Sequence, residues 1–279
     1  MAAEPFPKDR AGQRAFPIIL VSVAMLAMLF NNQRGMRGPP MVWATWTVLI
    51  FGCLPMATGM VLDGWRRARA RAYGLTALVV VLAPLVTVAW VPEGMAWMKQ
   101  HPRLLLLAAA ISGGLLLLGV VHGRVDLRRW GVGLGDWRWW LPRTGVAVLG
   151  AFALVAVWFA VDPAMRGYYP SDPSARESIP GLLVYCAILG FYMVGWESFW
   201  RGSLLFGLAR CWGPLAAILF GGLPFFLLHR GKPETEMVGS FVVGCLLSWF
   251  CYRGRSLWPG VILHAVLNLS VQVAGYAMM

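Results

Sequence analysis

Charged residues are scarce in this sequence, and acidic residues are the scarcest. Asp, Glu, Lys and Arg make up 13% of the 279 residues, whereas 59% are hydrophobic. A soluble globular domain carries about 25% charged residues, so the composition argues against water as the main solvent. The sequence has 12 acidic residues and 24 Lys and Arg, which gives a net charge of +12. Because the basic residues crowd the ends of apolar runs, we expect anionic lipids and no nucleic acid as partners.

Two further patterns are absent from the sequence: CxxC cysteine pairs and internal repeats. The five cysteines lie in or beside apolar runs, at Cys53, Cys186, Cys211, Cys245 and Cys251. They read as small apolar packing residues and indicate neither a disulfide framework nor a cysteine metal site. The absence of a repeat that links the two halves of the chain weakens a transporter interpretation.

The sequence does contain long apolar runs. A helix needs about 20 apolar residues to cross a hydrocarbon core of roughly 30 Å. The candidate spans are residues 16–30, 41–62, 72–91, 104–121, 144–161, 179–209, 214–229, 237–252 and 257–276. Some of these runs are short for a straight crossing. The sequence therefore predicts an all-α polytopic bundle of about eight to nine transmembrane helices.

The distribution of basic residues predicts the orientation in the membrane. With the N-terminus inside, fifteen Lys and Arg lie on the inner side and eight on the outer side, and the positive-inside rule favours this arrangement. We expect a multi-pass membrane protein with a cytoplasmic N-terminus. Three regions follow: transmembrane helices with basic inner loops over 1–161, an outer loop over 162–178, and a polar helical core over 179–279.

Ionisable groups inside the last spans are the strongest functional signal. Each such group raises the free energy of membrane insertion by roughly 2.5–3.5 kcal/mol. A functional role is therefore the first hypothesis for it. Glu197 and Arg201 lie one helical turn apart, as do His264 and Asn268, while His229 ends the seventh run. At about 1.5 Å per residue, three helices place these groups roughly 10–22 Å from their inner ends. The common depth predicts one polar site.

These residue types allow more than one chemistry. A carboxylate, two imidazoles and an amide can supply a base, its orienting group and oxyanion donors. They can equally supply a His-His-Glu zinc site. The less specific interpretations are a structural ion pair between Glu197 and Arg201 and interhelical hydrogen bonds from His264 and Asn268.

Three motifs on consecutive helices resemble those of a known family. The order of Glu197-xxx-Arg201, Phe225-xxx-His229 and His264-xxx-Asn268 is similar to that of the CAAX-processing and bacteriocin-processing (CPBP, or Abi) glutamic-type intramembrane proteases. The stretch His229-Arg230-Gly231-Lys232-Pro233-Glu234-Thr235-Glu236 also resembles the loop after the second motif in bacterial members. A narrower similarity is to myxosortase-like members, which act in protein sorting on C-terminal tails.

The resemblance implies a role for each motif residue. Glu197 would activate a water molecule as general base with the help of His229, while His264 and Asn268 would stabilise the oxyanion. Arg201 would hold Glu197 in place, and Phe225 would support the second motif. No cofactor is implied, although zinc remains the alternative.

One position departs from the family pattern. The usual first motif has two adjacent glutamates, the first of which is taken as the base, and Trp196 occupies that position here. The leading hypothesis is an intramembrane endopeptidase that cuts a protein or peptide near a membrane-associated C-terminal segment. The alternatives are a non-catalytic protein of the same fold, such as a bacteriocin-immunity or scaffold protein, and, with less support, a transporter.

Overall fold

The computed structural model describes residues 53–63, 68–91, 101–123, 125–229 and 231–279, with a few single positions before residue 101. Within these ranges the regular structure is helical. The helices are α1 (Leu54–Asp63), α2 (Ala68–Trp90), α3 (Pro102–Gly123), α4 (Trp137–Val161), α5 (Pro163–Tyr168), α6 (Pro173–Glu177), α7 (Ile179–Glu197), α8 (Leu205–Trp212), α9 (Pro214–Leu228), α10 (Glu234–Gly254) and α11 (Trp258–Ala277). A short 3-10 helix spans Leu127–Trp130, and π-helical turns span Ser198–Leu204.

Six helical segments in the described part are long and apolar enough to cross a membrane: Ala68–Thr87, Pro102–Gly123, Trp137–Val161, Ile179–Arg210, Glu234–Gly254 and Trp258–Ala277. Large apolar side chains on them face outward, with Phe191 78% and Val146 71% exposed, as expected of a surface solvated by lipid. The prediction of an all-α polytopic membrane bundle is confirmed. The candidate span 16–30 lies outside the described residues, and the structure describes 41–62 continuously only from residue 53.

Helix α9 is too short to span the membrane by itself. Its 15 residues rise about 22 Å at 1.5 Å per residue, against a hydrocarbon core of about 30 Å. Gly213, with φ of +87°, ends the preceding helix, and Pro214 starts α9. His229 follows directly at the end of this short helix and is buried, so this end of α9 lies inside the protein.

The segment 162–178, expected as a plain outer loop and called the outer segment after that expectation, is folded into α5 and α6. Asp162 and Asp172 cap these helices through bonds from Ala164 N and Ser174 N. The Arg176 guanidinium donates to the carbonyls of Gly167, Tyr168 and Pro170. These bonds hold the segment over the end of α11, where Ser171 N donates to the Gln272 side chain.

Two apolar clusters surround the polar site. The larger joins α1–α3 to α7–α9 and includes Trp196, Phe199 and Phe225. The smaller joins α4, the outer segment and α11 through Phe159, Tyr169 and neighbouring residues. Helix α11 packs against α4, α7 and α10, so its polar residues face the region between the clusters.

Candidate active site

Glu197 and Arg201 form a fully buried ion pair. Glu197 is 0% and Arg201 1% exposed, and Nη1 of Arg201 lies 2.9 Å from Oε1 of Glu197. The pair spans the junction between α7 and the π-helical turns, a local geometry that often marks functional sites. Arg201 Nη2 also donates to the Gly244 carbonyl, and its guanidinium lies 4.6 Å from the centre of the Phe225 ring. The first and second motifs are therefore in direct contact.

His264 brings the third motif to the same carboxylate. Its Nδ1 lies 2.6 Å from Oε1 of Glu197. Because a carboxylate accepts, Nδ1 carries the proton and donates. The close approach depends on Gly260, where a Cβ atom would come within 2.8 Å of Oε2 of Glu197. A larger residue at Gly260 would push α11 away from the ion pair.

His229 has a defined tautomer. Its Nδ1 lies 2.7 Å from the Phe225 carbonyl oxygen, and a carbonyl can only accept, so Nδ1 donates. In the neutral ring, Nε2 then has a free lone pair. The residue is 8% exposed. His229 thus presents a proton acceptor within the buried part of the site.

Four motif residues, Phe225, His229, His264 and Asn268, line one small cavity of ≈30 Å³, which has room for one or two water molecules. The lining residues come from α4, α9, α10 and α11 and from His229 directly after α9: Trp158, Phe225, His229, Glu236, Ser240, Val243, His264, Leu267, Asn268 and Val271. The structure therefore brings together His229, His264 and Asn268, as the common depth suggested. Glu197 is not among the lining residues and meets the cavity through His264.

Asn268 keeps one donor available. Its Nδ2 donates to the His264 carbonyl at 3.0 Å and has a second contact with Sδ of Met193 at 3.7 Å. A thioether is a weak acceptor, so a better acceptor in the cavity can replace it.

Glu236 and Tyr169 are site residues that the sequence reasoning missed. Oε1 of Glu236 lies 3.9 Å from Nε2 of His229 and accepts from Nζ of Lys232 at 2.6 Å, while Oε2 accepts from the Tyr169 hydroxyl. Burial first, and then the Glu236 charge, raises the pKa of Tyr169 well above its usual value, so this hydroxyl stays a donor. The signal for Glu236 was its place in the loop after the second motif; nothing pointed to Tyr169.

Trp196 is part of the aromatic packing around the site. It is 6% exposed, and its ring centre lies 6.2 Å from that of Phe225 and 6.4 Å from that of His264. Adjacent residues on a helix point about 100° apart, so Trp196 and Glu197 face different neighbours. The indole fills space between α7, α9 and α11 instead of adding a second carboxylate.

A wider cleft lies beside the cavity at the outer segment. Its volume is ≈730 Å³, and it is lined by the end of α4, by α5 and its capping residue Asp162, by the loop that contains Lys232, and by the first turn of α10 with Thr235. Lys232 belongs to the cleft and also bonds Glu236 of the cavity. The two spaces are therefore neighbours.

Comparison with known proteins gives one match. Residues 176–270 match the family model described as Type II CAAX prenyl endopeptidase Rce1-like. The matched segment contains all three motifs as well as Glu236. No curated protein and no solved structure matched the chain. The resemblance recognised from the motifs is thereby confirmed: residues 176–270 are similar to the Rce1-like domains of the CAAX protease type.

Proposed function

We propose that this protein is an intramembrane endopeptidase that hydrolyses a peptide bond near a membrane-associated C-terminal segment of a protein substrate. The observation that carries the proposal is the cavity of ≈30 Å³ at which His229, His264 and Asn268 meet. It joins Nε2 of His229, a proton acceptor, to the Nδ2 donor of Asn268 and, once its ring is protonated, to the Nε2 donor of His264. These groups meet in a space that can hold water, which is what amide hydrolysis requires.

The reaction uses water as the nucleophile. Nε2 of His229 accepts a hydrogen bond from the water, whose oxygen attacks the carbonyl carbon of the substrate. The carbonyl electron pair moves onto the oxygen, and Nδ2 of Asn268 and Nε2 of a protonated His264 donate to this oxyanion. The C–N bond then breaks as the amine takes up the proton from the water.

Glu197 acts on this reaction through His264. The sequence hypothesis makes Glu197 the general base, but its hydrogen bonds run to Arg201 and His264 and it does not line the cavity. We therefore propose that it is a positioning residue: its carboxylate holds Nδ1 of His264 and thereby directs Nε2. Arg201 balances the charge of the carboxylate inside the membrane.

The substrate proposal follows the family and the surface of the chain. The exposed apolar side chains of the spanning helices suit a substrate whose C-terminal segment lies in lipid, and the cleft beside Lys232 suits its polar part. A sorting tail, as in the myxosortase-like members, has this character. We place the protein in the bacterial inner membrane, with lipids as its other partners.

The second candidate is a non-catalytic protein of the same fold, and Trp196 at the usual glutamate position is the observation that favours it. Purified protein in proteoliposomes, incubated with peptides that carry an apolar C-terminal tail, separates the two by mass spectrometry of the products. Cleavage by the wild type and its loss in His229→Ala support the peptidase. His122→Ala is the matched control, because His122 is exposed on α3. No cleavage of any tail peptide would favour the non-catalytic protein.

A further inference from the structure

Glu236 is the one carboxylate among the described residues that line the cavity, and the proposed reaction has not used it. We infer that Glu236, and not Glu197, is the carboxylate that activates the hydrolytic water, together with His229. This inference rests on the proposed peptidase function and adds its general base. It explains how a site with Trp196 in place of the usual glutamate can still work: the carboxylate comes from a different helix.

The separation of Glu236 and His229 fits a water molecule between them. Their Oε1 and Nε2 atoms are 3.9 Å apart, which is too long for a direct hydrogen bond and is the range in which a bridging water is expected. Both atoms accept, because the Phe225 carbonyl fixes the proton of His229 on Nδ1. A water between them donates both of its protons, so its lone pairs face the rest of the cavity.

The surroundings of Glu236 leave it able to bind that water. An ionised carboxylate has about four acceptor sites, and Lys232 and Tyr169 use two of them. Lys232 balances the charge, and Tyr169 fixes the carboxylate plane from the outer segment. Glu236 is 7% exposed, so bulk water does not replace these contacts.

Glu197 lacks such access. Its Oε1 is bonded to both Arg201 and His264, and its Oε2 lies against Gly260 of α11. The side chain is 0% exposed. Oε2 of Glu197 is buried without a hydrogen-bond partner and lies outside the lining of the cavity, whereas Glu236 borders the cavity directly.

The proton has a complete route. An O–H bond of the water breaks as its oxygen attacks the carbonyl carbon, and the proton passes to Oε1 of Glu236. When the C–N bond breaks, the same proton moves to the departing nitrogen. The products are a carboxylic acid and an amine, and Glu236 returns to its ionised form.

The test compares Glu236 with an exposed glutamate that lines neither the cavity nor the cleft. Glu236→Gln keeps an oxygen for Tyr169 but cannot take a proton, and we expect it to lower kcat by about 10²–10⁴-fold, the usual contribution of a general base. Glu177→Gln is the control, because Glu177 is exposed at the end of α6 and belongs to neither space. Formate added to Glu236→Ala should restore part of the activity, since it supplies a carboxylate to the vacated space. Formate should not restore Glu197→Ala.

The outcomes separate the two proposals. Wild-type cleavage with full activity in Glu236→Gln would overturn the role of Glu236 and leave the peptidase intact. If formate restored Glu197→Ala but not Glu236→Ala, the general base would be Glu197 instead of Glu236. Failure of the wild type on all tail peptides would overturn the peptidase and this inference with it. Thermal unfolding in detergent shows whether each variant is folded, and Glu236→Asp provides a second folded variant with a displaced carboxylate.

Discussion

Nδ1 of His264 lies 2.6 Å from Oε1 of Glu197, although the two residues are 67 positions apart in the chain. This bond joins α11 to α7 at the point where Arg201 also reaches the carboxylate. Arg201 and His264 thus meet on one oxygen of Glu197, whose side chain is fully buried. The contact makes Glu197 a residue on which both the fold and the orientation of His264 depend.

Replacement of Glu197 by Gln should lower both stability and kcat. Loss of one partner from a buried ion pair costs about 3–5 kcal/mol, because the other charge stays buried without compensation; here that charge is Arg201. Well below the unfolding temperature, kcat should still fall while KM stays unchanged, since His264 loses the group that directs its ring. The measurements are thermal unfolding in detergent and cleavage kinetics.

Trp196→Phe is the control for that variant. It changes the neighbouring residue on the helix but keeps an aromatic ring against Phe225 and His264, so cleavage should persist. Full activity of Glu197→Gln would contradict the positioning role.

Asn268→Ala should remove one oxyanion donor. Loss of one such donor costs about 10²–10³ in kcat, and KM should change little because the hydrogen bond forms only as negative charge develops. Val273→Ala, on the same helix and 52% exposed, is the control. Equal loss of activity in both variants would indicate a general weakening of α11 instead of an oxyanion site.

Chelation should leave cleavage intact. Glu197, His229 and His264 form the His-His-Glu set that zinc would require. Among the described residues, no three His, Cys, Asp or Glu side chains are grouped so that they could hold a metal ion. We expect activity to survive 1,10-phenanthroline, measured by mass spectrometry of the products. Activity that disappears with the chelator and returns with added zinc would contradict a metal-free site.

Asp162 should make the outer segment sensitive to acid. The hydrogen bond from the Thr235 side chain lowers the pKa of Asp162 below its usual value, and the bond from Ala164 N acts in the same direction. A depressed pKa in the folded state means that the stabilisation is present at neutral pH. It is lost as the pH falls below the ordinary carboxyl range and through the lowered folded-state pKa of Asp162.

Limited proteolysis of the outer segment as a function of pH measures this effect. The wild type should become more susceptible at acidic pH, whereas Asp162→Asn should be susceptible throughout and lose that pH dependence. Asp172→Asn serves as the comparison, because Asp172 caps α6 and has no bond to Thr235. Identical profiles for the wild type and Asp162→Asn would rule out the link.

The orientation remains a prediction from the basic residues. Single cysteines at Glu177 and Asp136, both exposed, report on the two sides in a background without other cysteines. With the N-terminus inside, a membrane-impermeant maleimide should label Glu177→Cys from outside intact cells and should reach Asp136→Cys only after lysis. The reverse pattern would show that the orientation is inverted.

The helices and the faces of the motifs were available from the sequence. Apolar length determines which segments can cross a bilayer, and a spacing of four residues places Glu197 with Arg201, and His264 with Asn268, on one face of each helix. The axial rise determines depth, which is why the common layer of His229, His264 and Asn268 could be anticipated. The regular geometry of a single helix suffices for all of these statements.

The pairing of groups between helices depended on tertiary structure. Rotation and close approach of separate helices follow from packing, here the rings of Trp196 and Phe225 and the lack of a side chain at Gly260. That packing brings Glu197 into hydrogen-bonding contact with His264 and places Glu236 opposite His229. It also carries Tyr169 from the outer segment to Glu236. A linear pattern records spacing along one helix, whereas the choice of which carboxylate meets which histidine is made by contacts between distant parts of the chain.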